Sequence, residues 1–188
     1  MCHLACGLFA LDFQLITLGI DASSSKTGWA VVNDTGDLLA FGEIDLAKCK
    51  TKKKPLEYLL VIYNSITTLC EEHKPNQVCI EEIFNRNVST FRTLARVRGV
   101  IELACIQSGL DSIIVLNASH MRKSVLGDGK LDKVQICTIF EKRYSRPLAT
   151  EGYDQSDAIL VALGGASEPK MKKVSKTNNG NKKRRKPN

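Results

Sequence analysis

Four acidic residues stand where a chain places groups meant for chemistry. Asp21 closes the apolar run Leu18-Gly19-Ile20, Glu81 closes Val78-Cys79-Ile80, and Asp154 and Asp157 open a run that continues Ala158-Ile159-Leu160-Val161. A carboxylate at the end of a buried strand loses its hydration, which is costly unless something compensates its charge. A spacing of three puts Asp154 and Asp157 on one face of a helix at its N-terminal end. Taken alone, that pair reads more readily as an N-cap and an early-turn acid favoured by the helix dipole. Joined to the two strand-terminal acids, it becomes part of a set of four carboxylates able to converge on one point. Such a set repels itself strongly in a low-dielectric site and requires cations. Hard divalent ions such as Mg²⁺ take oxygen ligands, and a pair of them shared among the acids satisfies the charge. Two such ions, typically about 3.5–4 Å apart, activate a water and stabilise the leaving oxygen in phosphodiester hydrolysis.

The elements that must position these acids follow from hydrophobic patterning. Residues 15–21 read as a strand buried on both faces. Residues 28–33 and 38–44 read as two further strands, joined as an antiparallel hairpin by the turn Asn33-Asp34-Thr35-Gly36-Asp37. From Pro55 to His73 the spacing predicts a helix, with Leu56, Leu59, Leu60, Tyr63, Ile66 and Cys70 along its apolar side. Residues 77–81 form a short strand, and its alternation points Glu82 away from Glu81. A helix is expected over residues 89–108, with Ser89 as N-cap and Phe91, Leu94, Ala95, Ile101, Ala104 and Cys105 as its stripe. Residues 112–116 supply another buried strand. Ser119 caps a short helix to Leu126, residues 130–144 are amphipathic through Val134, Ile136, Cys137 and Phe140, and a largely buried helix spans residues 153–163. The order strand-strand-strand-helix-strand-helix-strand-helices is that of an α/β protein.

At 188 residues, 43% of them hydrophobic, the chain has material for one core. The expected division is an N-terminal extension (1–14), one domain (15–166) and a basic disordered tail (167–188). The net charge of +7 suggests a polyanionic partner. However, nine Lys or Arg and no acids lie from Lys170 onward, and removing them from the total leaves about −2 for residues 1–169, so a nucleic-acid surface on the body must be a local patch. The lysine-rich stretch 49–55 reads as a solvated linker before a dedicated DNA contact. Seven cysteines without a Cys-x-x-Cys pair suggest reduced, buried thiols in a cytoplasmic protein, and Cys2-His3-x-x-Cys6 offers only three ligands for a metal. No Lys or Arg precedes Lys26, and the apolar start is too short for a membrane span. No membrane partner is expected.

Five blocks together carry a family likeness: Leu18-Gly-Ile-Asp21 with Thr27-Gly28, Cys79-Ile-Glu81-Glu-Ile-Phe84, Ala95-Arg-Val-Arg-Gly99, Val125-Leu-Gly127 with Lys133, and Asp154-Gln-Ser-Asp157-Ala158. In this order they resemble the motifs of the RuvC family of Holliday junction resolvases, over about residues 15–165. The resemblance implies a ribonuclease-H-like fold, a mixed five-stranded sheet flanked by helices. It also implies an Mg²⁺-dependent endonuclease of DNA recombination and repair, with two Mg²⁺ per site and Mn²⁺ able to substitute. Such an enzyme acts as a homodimer on branched DNA, cutting two opposed strands of a four-way junction to leave religatable ends. Carried over by position, Asp21, Glu81, Asp154 and Asp157 match the family's metal-binding acids, with Glu81 rather than Glu82 at the second position. Phe84 matches an aromatic that meets unpaired bases near the junction centre, its alternative being a core residue ending the strand. Arg122 and Lys133 fall where the family has basic residues near the scissile backbone, Arg122 replacing a lysine; their alternative is ordinary helix-surface charge. Ala22 stands where a proline is common in the family. The helix over residues 89–108 is a candidate dimer surface, unless its stripe is core.

Three other readings stand beside this one. The first is a related ribonuclease-H-like nuclease acting on branched DNA or RNA:DNA hybrids. The second is a phosphotransferase, for which Asp21-x-Ser-x-x-x-Thr27-Gly28 suits a phosphate loop although the chain lacks a second glycine-rich loop and a second domain. The third is a noncatalytic DNA-binding protein, which four intact acids disfavour. The cluster Lys182-Lys-Arg-Arg-Lys186 suits nonspecific DNA binding, a localisation signal or a solubilising tail.

Overall fold

The computed structural model describes residues 14–49, 55–83, 86–110, 113–150 and 153–167. The N-terminal extension up to residue 13, Phe84 and the basic tail from residue 168 lie outside the described residues. Five strands form one mixed sheet in the order β3-β2-β1-β4-β5. Its strands are β1 (Ile16–Asp21), β2 (Lys26–Asn33), β3 (Leu38–Asp45), β4 (Gln77–Glu81) and β5 (Ile113–Leu116). The β1-β2-β3 pairings are antiparallel, and β1-β4 and β4-β5 are parallel. The hairpin turn is built by Asn33, whose side-chain Oδ1 accepts from the Asp37 N–H at 2.8 Å. Helices α1 (Glu57–His73), α2 (Val88–Gln107), α3 (Ala118–Leu126), α4 (Lys133–Tyr144) and α5 (Asp154–Ser167) complete the fold.

Strand alternation divides the core into two layers. On one side Leu18, Ile20, Val31, Val78 and Ile80 pack against Ile62, Ile66, Val97 and Ile101 of α1 and α2. On the other, Ala30, Val32 and Cys79 meet the helices α3 to α5. Helix α5 is buried from Ser156 through Gly165 because it lies directly on the sheet. Glycines permit that approach: a Cβ at Gly19 would stand 2.3 Å from the Ala162 amide nitrogen, and one at Gly165 would overlap the Cys79 sulfur. The same face of the sheet therefore carries Thr17-Gly19-Asp21, Cys79-Glu81 and the whole of α5.

Several expected boundaries and faces are corrected. Helix α1 starts at Glu57 rather than Pro55, and buries Tyr58, Ile62, Ile66, Leu69 and Cys70 while Leu56 and Leu60 face outward. The cap of α2 is Asn87, accepting from the Thr90 N–H at 3.1 Å; Ser89 lies inside the helix, and Phe91 and Ala95 are exposed. Asn117 rather than Ser119 caps α3. Helix α4 begins at Lys133, behind a capping box made by Asp132 and Gln135, and Val134 points to solvent. The strand β5 is an edge strand with Val115 43% exposed, rather than fully buried. Helix α5 runs through Gly164-Gly165 to Ser167, since both glycines are packed rather than free to break it. At the helices a packed neighbour or an alternative cap close by overrides local spacing.

Candidate active site

Parallel pairing of β1 with β4 aligns Ile20 with Ile80, so the next residues, Asp21 and Glu81, leave the sheet side by side at its C-terminal edge. Helix α5 begins over the same edge and delivers Asp157, only 5% exposed, in its first turn. These three acids line a cleft of about 190 Å³ together with Arg122 of α3 and Lys133 of α4. Three elements from distant parts of the chain thus put acids around one small space, and two more supply cations.

The electrostatics reflect that crowding. Burial first, then the charges of Asp157 and Glu81, hold the Asp21 carboxyl well above the usual carboxylate range against the pull of Lys133. Glu81 is raised for the same reasons, burial and then Asp157, while Lys133, Arg122 and a hydrogen bond with Asp21 oppose the shift. Lys133 donates to Asp157 Oδ2 at 2.5 Å. Burial works against the lysine's charge, but the hydrogen bond and charge of Asp157, with Asp21 and Asp154 behind it, outweigh that and raise its proton affinity. The Arg122 Nε–H is buried in the same wall with no hydrogen-bond partner. Its hydrogen-bonding capacity is left unused within the protein.

Asp154 takes a different place from the other three. It heads α5 beside the cleft but does not line it. Its carboxyl is raised by burial and then by Glu43 of β3, with Lys133 and Lys26 opposing. Glu82 lines the cleft, contrary to alternation, because the strand ends at Glu81; its Oε2 accepts from Asn117 Nδ2 at 3.4 Å. Phe84 lies outside the described residues. Glu43 and Lys26 escape the sequence patterns, and only the hairpin register, which sets Gly28 opposite both Asp21 and Glu43, brings them to the site.

Among the described residues, no group of three or more His, Cys, Asp or Glu side chains is gathered tightly enough to hold a metal ion as it stands. The donor chemistry nevertheless fits a hard divalent cation. The groups are oxygen donors throughout, burial and then their mutual repulsion raise the proton affinity of Asp21 and Glu81, and Arg122 and Lys133 leave negative charge in excess.

A sequence profile described as Crossover junction endodeoxyribonuclease RuvC matches residues 17–164. The chain belongs to the RuvC family. Curated RuvC relatives include the crossover junction endodeoxyribonuclease of Erythrobacter litoralis, 32% identical over 153 residues that cover 81% of this chain and 93% of the relative. That of Ruminiclostridium cellulolyticum is 30% identical over 158 residues, 84% of this chain and 95% of the relative. Among solved structures, Thermus thermophilus RuvC in complex with a Holliday junction substrate superposes with a TM-score of 0.67 at 17% identity, over 80% of this chain and 92% of that one. The yeast mitochondrial Holliday junction resolvase superposes with a TM-score of 0.56 at 14% identity, over 80% and 77%. Those likenesses are of fold. The mixed five-stranded sheet and its helices are the ribonuclease-H-like architecture of the RuvC family. Among the described residues no helix is long and apolar enough to cross a membrane.

Proposed function

We propose that the chain is a Mg²⁺-dependent, structure-selective endonuclease that resolves four-way DNA junctions by paired nicks. The observation that supports this most is the meeting of Asp21, Glu81 and Asp157 with Arg122 and Lys133 around one cleft, in a chain of this family. Asp21, Glu81, Asp157 and, from the rim, Asp154 would hold the cation pair. When bound, that pair supplies Lewis-acid activation of a water and stabilisation of the leaving oxygen. The protein's own part is positional and electrostatic. Arg122, which lines the cleft, binds a non-bridging phosphate oxygen of the scissile group through its guanidinium. Lys133 orients Asp157 and offsets charge that accumulates on the phosphorane-like transition state. Phe84, four residues beyond Ile80, stacks on an unpaired base near the junction centre.

Paired nicks require two sites related by symmetry. Helix α2 supports a dimer through an outward stripe of Val88, Phe91, Ala95, Gly99, Leu103 and Ile106, all within about a third of the helix circumference. A Cβ at Gly99 would meet nothing within 4 Å, so a partner helix can approach closely there. This is the pattern of a second copy seated by its own α2.

The test is cleavage of a labelled mobile four-way junction, with matched three-way junction, linear duplex and RNA:DNA hybrid, in Mg²⁺ and in EDTA. The expected result is symmetric nicking of the four-way junction in Mg²⁺ alone. Equal or faster cutting of the plain RNA:DNA hybrid overturns the substrate assignment, and unchanged cutting in EDTA overturns the cation requirement.

A further inference from the structure

Asp21, Gly28 and Glu43 lie in line across β1, β2 and β3. Residues in register on neighbouring strands project to the same face, so Asp21 and Glu43 flank Gly28 beneath α5. The gap between them is filled by the start of that helix: a Cβ at Gly28 would stand 2.0 Å from the Asp154 carbonyl oxygen and 3.2 Å from its Cα. Asp154 is therefore seated between two other acids, one inside the cleft and one outside it. Lys26, two residues before Gly28, projects from the same face of β2, and its Nζ stands 3.8 Å from Glu43 Oε2. The Glu43 side chain is largely buried, 17% exposed, and its Oε1 has no hydrogen-bond partner.

The Lys26 charge acts on Asp154 as well as pairing with Glu43. An ammonium paired with Asp154 would occupy one of its carboxylate oxygens and offset its charge, as Lys133 does at Asp157, and so weaken cation binding there. We propose that Glu43 is a positioning residue for Asp154, holding Lys26 on the outer side of the site so that the Asp154 carboxylate stays available to the divalent cation. The placement of Glu43 fits this task. It sits on the edge side of Gly28, opposite Asp21, and its own charge is the strongest of the charged neighbours acting on Asp154, which disfavours an outward turn of that carboxylate. The proposal rests on the reading of Asp154 as a cation ligand, and the experiment separates the two.

Mn²⁺ binding to the full-length protein without DNA, followed by the loss of the free-ion electron paramagnetic resonance signal, measures the effect directly. Wild type is compared with Asp154→Asn, Glu43→Gln, Glu43→Asp, Lys26→Gln and the Glu43→Gln/Lys26→Gln pair, each checked by circular dichroism melting. Glu43→Gln removes the ionic partner that keeps Lys26 on the outer side and weakens binding about tenfold, equivalent to about 1.4 kcal/mol. Glu43→Asp, which keeps a partner for Lys26, stays within about threefold of wild type. Lys26→Gln alone changes binding less than about twofold, because that lysine is already engaged, whereas added to Glu43→Gln it restores most of the loss. A merely structural role for Glu43 is not rescued by removing a lysine. If Lys26→Gln shifts binding equally in both backgrounds, Glu43 acts only through its field and the proposal is overturned. It is also overturned if Glu43→Gln binds like wild type while Asp154→Asn is weakened. If Asp154→Asn itself binds like wild type, the ligand assignment of Asp154 fails first, and this proposal with it.

Discussion

Replacing Gly28 by alanine is expected to slow the proposed junction cleavage far more than it destabilises the fold, because the added methyl strikes the start of α5 rather than its body. A Cβ at this position would lie 2.0 Å from the Asp154 carbonyl oxygen, and real Cβ contacts essentially never fall below 3.0 Å, so the helix start must lift by about 1 Å. The obstacle is backbone on both sides, so no side chain can move out of the way. A displacement of about 1 Å in a catalytic group can cost on the order of 10²-fold in rate. Overpacking of this kind typically costs about 1–3 kcal/mol, and for a chain of this size each kcal/mol lowers Tm by roughly 2–4 °C. Single-turnover junction cleavage at saturating protein and a thermal melt in the same buffer measure the two effects separately. Gly19→Ala provides the contrast. Its Cβ would meet the Ala162 backbone in the middle of α5, so stability falls by a similar amount or more and activity follows the folded fraction. A Gly28→Ala protein that cuts junctions at the wild-type rate and melts at the wild-type temperature refutes the idea that this contact sets the acids.

Other consequences can be checked directly. The folded Asp21 binds its proton more tightly than the unfolded chain does, so its contribution to metal-free stability is full below the ordinary carboxylate range and is lost as pH rises through the raised value. In EDTA the Asp21→Asn protein should therefore melt higher than wild type at neutral pH, with the gain shrinking as pH falls towards 4, although it cuts no junctions. Arg122→Gln should slow single-turnover cleavage by about 10²–10³-fold, the usual cost of losing one preorganised donor to a developing anion, with a smaller effect on junction affinity. Ile106→Glu on the exposed stripe of α2 should shift sedimentation from dimer to monomer and uncouple the paired nicks, while the melting temperature of the folded chain changes by little.

The parts of this molecule that could be read from its sequence are those where one residue's neighbours decide its role. Asp21 and Glu81 were legible because each ends a run of apolar residues, and a strand that continues into an acid has few uses for it. The α5 acids were half legible: a spacing of three suggests a common face, yet Asp157 lines the cleft and Asp154 stands beside it. Capping defeated the local reading at α2 and α3, where Asn87 and Asn117 precede the serines that spacing singles out and offer the same oxygen sooner. The face of α2 was misread at Phe91 and Ala95 because that helix carries apolar residues on two sides, and only packing shows that Val97 and Ile101 are the buried set. Glu43 and Lys26 were invisible for a deeper reason. Their bearing on Asp154 depends on hairpin register and on where α5 rests, neither of which is written near them in the chain.

Helix α5 carries one practical consequence. It starts at the cleft with Asp154 and leaves the sheet at Ser167, and a helix of 14 residues spans about 20 Å. The last described residue therefore stands about 20 Å along the helix from the cleft. A fluorophore or surface anchor attached at Ser167 is carried on a helix packed from Ser156 to Gly165, away from the cleft to which the proposed DNA substrate binds. Junction opening and strand cutting can then be watched on single immobilised molecules without the handle obstructing the substrate.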